Sequence, residues 1–222
     1  MALPWPVELH GQTPTGEPVV LDALRRRDKA DWQRVRALNR RWLQEWEATA
    51  PDQAGVQAVT FPALVRHYNR EARAGRMLPF AIRVADRLAG QMVVFGIAGG
   101  SLLSAAVGYW VDQDVAGRGV APTALALAGD HAFGSLGLHR LEVNIRPENA
   151  NSLAVVRKLG FRDEGVRAAY LHINGAWRDH RTFALTTDDL GGRSLAERLH
   201  INHTSHIGDT PPHLPPGTPE ST

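Results

Sequence analysis

Between residues 110 and 122 the chain reads Trp-Val-Asp-Gln-Asp-Val-Ala-Gly-Arg-Gly-Val-Ala-Pro, an apolar, strand-like run that breaks into a Gly-Arg-Gly loop and re-forms as an Ala/Leu-rich helix. A junction of this kind commits the chain to strand, tight loop and helix in succession, and it is built to hold phosphate. Gly117 and Gly119 let the backbone turn tightly and approach a ligand. The helix that follows presents unpaired N–H groups and the positive end of its dipole to an anion. Pro122 suits the first helical turn, where its missing N–H is no loss. Ordinary strand-loop-helix connections carry turn glycines too, so the ligand has to be decided elsewhere in the chain.

A chain of 222 residues supplies one substantial core, and one domain with tails is the expectation. The formal charge of +2 is too small to point to nucleic acid, and Arg25-Arg26-Arg27 is the only dense basic block. The absence of cysteine excludes a disulfide framework, thiolate-bound zinc and a cysteine nucleophile, and it fits a cytoplasmic protein. The N-terminus lacks the basic start and apolar core of a signal peptide and carries prolines at positions 4 and 6, so export is not expected. Leu88 to Val111 contains no charged residue and is long enough on count alone to cross a bilayer. Its Gly99-Gly100-Ser101 break between β-branched and aromatic runs reads instead as an antiparallel hairpin, with no membrane partner.

Residues 1–17 read as a loose N-terminal arm and Val19 to Leu24 as a first strand. From Asp28, a candidate N-cap, to about Ala48 the pattern is helical, with Trp32, Val35, Trp42 and Trp46 near one face as core or groove lining. A second helix is predicted from Phe61 to Ala74, then a strand from Leu78 to Val84 that turns back between Asp86 and Gly90, then the hairpin. Beyond the Gly-Arg-Gly loop the pattern predicts a helix from Thr123 to Leu136, a strand from Arg140 to Ile145 and a short helix ending at Gly160. Two strands follow, Phe161 to Ile173 and Trp177 to Thr186, joined by the turn pair Asn174-Gly175. This order implies an α/β fold of the α+β type, a mixed sheet flanked by helices rather than a doubly wound parallel sheet. Residues 189–222 read as a tail, largely disordered, with five prolines after 208. His200, His203 and His206 have no carboxylates clustered with them, so no metal site is expected.

Residues 139 to 161 read His-Arg-Leu-Glu-Val-Asn-Ile-Arg-Pro-Glu-Asn-Ala-Asn-Ser-Leu-Ala-Val-Val-Arg-Lys-Leu-Gly-Phe. The succession of a strand, Pro-x-Asn-x-x-Ser, a short helix and Lys-Leu-Gly-Phe, about thirty residues after the Gly-rich loop, closely resembles the second cofactor motif of the GNAT superfamily of N-acetyltransferases. The subgroup it looks most like is the ribosomal-protein-alanine N-acetyltransferases of the RimJ/RimL type. The resemblance covers roughly residues 18–188, includes Trp177-Arg178-Asp179, and excludes both tails. It implies the GNAT fold: a mixed, mostly antiparallel, twisted sheet of six to seven strands flanked by about four helices.

It also implies acetyl-CoA as cosubstrate, and no metal. In this family the pyrophosphate lies on the segment matching Gly117, Arg118, Gly119, Val120, Ala121 and Pro122. The pantetheine arm pairs like an extra strand with the backbone matching Tyr109, Trp110 and Val111. A backbone nest at a helix start and strand addition are both physically sound grips. Where the family usually carries Gln or Arg, this chain has Ala116, and Arg118 is a candidate to compensate. Many members protonate the leaving thiolate with a tyrosine at the position of Val156, which cannot donate here. Ser152 is therefore the candidate thiol partner, with Asn149 capping the helix and bonding the pantetheine. Both residue types serve equally well as plain helix caps.

Glu142, on the strand before this motif and on the same face as Asn144, is the candidate general base, with Tyr170 and His172 as alternatives in the role of substrate contacts or proton relays. A free α-amine of pKa about 7.7–8.0 is roughly a tenth neutral at pH 7, whereas a lysine near 10.4 is neutral about once in 2,500. A site without an obvious strong base fits an α-amine better. The expectation is acetyl transfer to the N-terminal α-amine of a protein, possibly ribosomal, by a cytoplasmic monomer or homodimer. A small-molecule amine acceptor (polyamine, antibiotic or metabolite) and a non-catalytic acetyl-CoA-binding regulator are the alternatives.

Overall fold

Turn chemistry sets the sheet. The computed structural model describes residues 5–51 and 59–200. Strand β3 (Met77–Val84) reverses into β4 (Arg87–Ala98) through Ala85 and Asp86, both at positive φ, the type I′ geometry that matches strand twist. β4 reverses through the Gly-Gly-Ser segment into β5 (Ser104–Val111), so the uncharged stretch is a hairpin. No helix among the described residues is long and apolar enough to cross a membrane. Asn174-Gly175 joins β7 (Arg162–Ile173) to β8 (Ala176–Thr186), again with two positive φ values.

Strands β1 (Leu9–Gln12), β2 (Pro18–Ala23) and β6 (Arg140–Ile145) complete an eight-stranded sheet of order β1-β2-β3-β4-β5-β6-β8-β7, antiparallel everywhere except between β5 and β6. That is one strand more than the upper end of the expectation. The extra strand is β1, which pairs with β2 from Leu9↔Leu21 to Gln12↔Pro18, inside the segment read as a loose arm. Its residues are half polar, so only the partner edge reveals it.

Helices α1 (Lys29–Leu38), α2 (Arg40–Gln44) and α3 (Phe61–Arg73) precede β3, α4 (Val120–Gly134) lies between β5 and β6, and α5 (Ala150–Lys158) follows β6. Alternation along β3 divides the core between the two faces of the sheet. Leu78, Phe80, Ile82 and Val84 face the larger core with α4 and α5, whereas Ala81 faces a smaller one with Phe61 and Val65 of α3. The single helix expected over 28–48 is broken at Asn39. Asp28 does not cap it: its carboxylate accepts from the Arg25 N–H at 2.7 Å and from Arg83 at 3.0 Å.

The chain also packs beyond the expected start of the tail. After α6 (Thr187–Leu190), residues 195–200 form a further helix, α7. Ser194 and Glu197 cap it reciprocally, and the Asp130 carboxylate of α4 accepts the Leu195 and Ala196 N–H groups at 2.7 and 3.1 Å. Leu195 is fully buried over Gly129, where an added Cβ would come within 2.4 Å of its Cδ1. His203, His206 and the proline-rich stretch lie outside the described residues.

Candidate active site

β5 and β6 pair in parallel over three positions, Ser104↔Arg140, Ala105↔Leu141 and Ala106↔Glu142. Beyond these, β5 runs on to Val111 held only by β4, and β6 runs on to Ile145 held only by β8. The sheet therefore splits along the β5–β6 seam, and the backbone of β5 past Ala106 has an edge without a ladder partner. Such an edge takes an extended, amide-bearing arm by strand addition.

Two cavities meet at this split. One, of about 220 Å³, is lined by Tyr109, Trp110 and Val111 of β5, by the loop from Val115 through Pro122 except Arg118, and by Asn149, Ser152, Ala154 and Lys158 around α5. Trp42 and Trp46 close it from the α2 side. The second, of about 350 Å³, is lined by Gln91, Phe95, Asn144, Arg146, Tyr170 and His180, and by Arg36 and Glu47 at the α1–α2 side. Leu43, Trp46, Tyr109, Trp110, Asn149 and Ser152 border both.

The Gly-rich loop has the form its sequence predicts. Gly117 and Gly119 sit at φ +79° and +84°, and Gly119 is the N-cap of α4. The N–H groups of Gly117, Gly119, Val120 and Ala121 donate to no backbone carbonyl among the described residues. They form an open nest at the positive end of a helix dipole. An added Cβ at Gly119 would meet Pro14 Cδ at 3.2 Å, so the β1–β2 turn crowds this position from behind. The donors, the open strand edge and the cavity between them fit a ligand that is anionic at one end and amide-bearing along its arm.

Arg118 departs from its expected role. It points away from the cavity, pairing with Glu17 and donating to the Asp114 carbonyl at 3.4 Å. The cation at the cavity wall is Lys158. Asn39, which broke the long helix, carries a role that its sequence context did not signal. It is 1% exposed, donates to Val35 O and to Asp112 Oδ1 at 2.9 and 2.8 Å, and accepts the Gln113 N–H at 2.8 Å. Asn39 thereby fastens the α1–α2 corner to the start of the Gly-rich loop.

At the junction of the cavities, Asn149 caps α5 by accepting the Ser152 N–H at 3.0 Å. Val156 is fully buried in the core. Tyr109 brings a phenol beside Ser152: burial pushes its pKa up to about 12, with the Ser152 hydroxyl pulling in the opposite direction. Its hydroxyl is buried without a well-formed hydrogen bond. A neutral phenol with an unspent proton thus stands next to Ser152, a side-chain role that the strand pattern at Tyr109 did not convey.

Glu142 requires correction as the candidate base. It lines neither cavity, and its two oxygens accept from Arg140 at 2.9 Å and Arg167 at 3.0 Å. Both oxygens are thus engaged by guanidinium groups away from the cavities. Its strand neighbour Asn144 does reach the second cavity, as the shared face predicts. Tyr170 lines that cavity; His172 does not, being held by Thr49 at 2.8 Å. Among the described residues no group of His, Asp and Glu is arranged to hold a metal.

The sequence profile of the acetyltransferase (GNAT) domain matches residues 19–162. The chain belongs to the GNAT acetyltransferase family. It is similar to RimJ of Mycobacterium smegmatis, solved in complex with CoA-disulfide, at 39% identity and a TM-score of 0.83, covering 90% of this chain and 96% of that one. It is 30% identical to the [ribosomal protein uS5]-alanine N-acetyltransferase of Escherichia coli over 69% of this chain and 79% of that protein. A probable N-acetyltransferase of Bacillus subtilis, YjcK, is 39% identical over 47% of this chain, a match spanning 58% of the relative's own length. In this GNAT domain the β5–β6 split and the loop nest fall within the segment that the family profile covers, while β1, β8 and α7 lie outside it.

Proposed function

We propose that this GNAT protein transfers the acetyl group of acetyl-CoA directly to the N-terminal α-amine of a protein, a ribosomal protein in the first instance, in the cytoplasm. The observation that carries the reading is the pair of cavities sharing Tyr109, Trp110, Asn149 and Ser152. The first offers a phosphate nest and an open strand edge for acetyl-CoA. The second leaves room for an acceptor approaching from the other side of the sheet. Transfer then needs no covalent enzyme intermediate, because both reactants reach one point. The free N–H groups of β5 at the split stabilise the oxyanion, and Ser152, backed by the neutral Tyr109 phenol, supplies the proton for the departing thiolate.

The charge of the second cavity argues for a peptide over a polyamine. Among the described residues its only lining carboxylate, Glu47, is held by Arg36 at 2.5 and 2.6 Å, and the Arg146 guanidinium on its wall is paired with Glu148 at 3.2 Å. A polyamine bearing several cations would find no uncommitted carboxylate among the described lining residues, whereas an extended peptide brings one amine and a neutral backbone. The spermidine N(1)-acetyltransferase of Escherichia coli matches only 31% of this chain. Trp46, Trp110 and Phe95 provide the apolar wall for the first side chains of a peptide.

Incubation with acetyl-CoA and a panel of N-terminal peptides, spermidine and aminoglycosides, read by mass spectrometry, tests this. Acetylation of peptide α-amines is expected. Modification confined to the small amines overturns the protein acceptor, and CoA binding without turnover on any amine overturns the transferase reading.

A further inference from the structure

His180 lies on β8 and is 3% exposed, at the wall of the second cavity. Its Nδ1 is 3.1 Å from the carbonyl oxygen of Arg178. A carbonyl can only accept, so Nδ1 carries the ring hydrogen, and the neutral imidazole is left with a lone pair on Nε2. Nε2 has no hydrogen-bond partner among the described residues. The ring is fixed on its other side by Tyr170, which meets it edge-on at a centroid distance of 5.6 Å. Tyr170 is itself clamped by Arg167, whose guanidinium lies 5.0 Å over the ring and donates to the hydroxyl at 3.2 Å.

The titratable side chains that line this cavity are Arg36, Glu47, Tyr109, Arg146, Tyr170 and His180. Guanidinium and phenol side chains ordinarily titrate far above neutrality. Glu47 has both oxygens on Arg36. His180 alone combines an ordinary pKa near neutrality with an unengaged acceptor atom. We propose that His180 Nε2 accepts the proton released by the acceptor amine during acetyl transfer. The inference rests on the transferase reading above and supplies the base that Glu142 does not.

The amine nitrogen attacks the thioester carbon, and the C–N bond forms as the C–S bond breaks. One N–H proton of the attacking nitrogen passes to Nε2, giving an imidazolium that returns it to solvent. The thiolate takes a proton from the Ser152 hydroxyl, which is replenished from solvent, so protons balance over the cycle. Burial lowers the pKa of His180, and Arg146 pushes it the same way; the Arg178 carbonyl, Glu148 and Asp179 oppose them without reversing the direction. Arg178 and Asp179 flank it on its own strand, Arg167 and Tyr170 face it from β7, and Arg36 and Glu47 stand across the cavity. The ring is neutral, and so competent as a base, at pH 7.

The experiment measures kcat against pH, with acetyl-CoA and the best amine from the panel, for the wild type, H180Q and H180N. His180 is titrated in parallel in the wild-type protein by NMR of ring-labelled histidine. Expected are a fall in kcat of roughly 100-fold or more at pH 7, a KM for acetyl-CoA within about threefold of wild type by that same argument, and loss of the acidic inflection. The wild-type inflection should coincide with the NMR pKa of His180, below its ordinary value. A variant that keeps the wild-type kcat and inflection, or a mismatch between inflection and NMR pKa, overturns the proposal and leaves the transferase reading intact. Should both variants fail to bind CoA, the wild-type comparison of inflection and NMR pKa decides. A wild type that acetylates no amine overturns both.

Discussion

Gly90→Ala separates local propensity from tertiary fit. Gly90 is buried in the interior of β4 with an ordinary φ, so β-strand entropy alone predicts that alanine stabilises the protein by about 0.5–1 kcal/mol. The structure predicts the opposite sign. A Cβ at this position would lie 2.3 Å from the carbonyl oxygen of Trp110 and 3.0 Å from Val111 Cα, and both neighbours are backbone. No rotamer change relieves such a contact, so β5 must move outward by about an ångström to restore van der Waals separation. Overpacking of this kind costs about 1–3 kcal/mol. Offset by the entropic gain, a net loss near 1 kcal/mol lowers the Tm of a chain this size by roughly 2–4 °C. The displaced atoms belong to the strand edge proposed to grip the pantetheine, so CoA affinity should fall in parallel, by about tenfold for each 1.4 kcal/mol lost. Circular-dichroism melting and calorimetric CoA titration measure the two effects. A Gly90→Ala protein with a Tm at or above wild type and an unchanged Kd refutes both the close approach and its link to the site.

Gly119→Ala places an L side chain at φ +84° and should weaken CoA binding roughly 5- to 30-fold, the equivalent of about 1–2 kcal/mol of backbone strain; equal Kd values would exclude the nest. Ser152→Ala should lower kcat by about tenfold or more with the acetyl-CoA KM within about threefold, followed by thiol release; an unchanged kcat removes Ser152 as the sulfur partner. Asn39→Ala strands the Gln113 N–H and the Asp112 carboxylate, costing about 1–3 kcal/mol, and hydrogen exchange should quicken over residues 112–116. Arg140, aided by Arg162, holds the Glu164 carboxyl at about 2, against an ordinary value of 4.5. Because the folded pKa is the lower one, this contribution is complete above about pH 4.5 and is lost as the pH falls towards 2. Glu164→Gln should flatten the Tm-against-pH curve in that window, less so in 1 M salt; a variant with the wild-type slope counts against the network.

The elements that could be read from the sequence are those whose cause is local. The Asn174-Gly175 turn, the Gly-Gly-Ser hairpin, β6, and α5 with its Asn149 cap fall where their residues predict, within a residue or two. Each depends on φ preferences, two-residue alternation or a contact three residues away. β1 escaped because a short, half-polar strand is defined by its partner; α7 went unread despite its local Ser194–Glu197 cap, because what docks it, Asp130 and the gap over Gly129, lies about 65 residues earlier in the chain.

The site divides along the same line. Every residue expected at the cofactor side lines the first cavity except Arg118, because a glycine-bent loop entering a helix aims its backbone donors by geometry that the sequence already encodes. Side-chain roles across the sheet did not follow from that code. Alternation correctly put Glu142 on the face of Asn144, yet which carboxylate is neutralised depends on Arg167, 25 residues away on another strand. His180 and the Tyr109 phenol drew no signal because their functional environment comes from burial and from neighbours on other elements. The chain by itself thus determined where a glycine-bent loop turns its backbone donors into a cavity. Tertiary structure alone decided where the sheet splits, which side chains face the opening and which charges are already spent, since each depends on partners that only folding brings together.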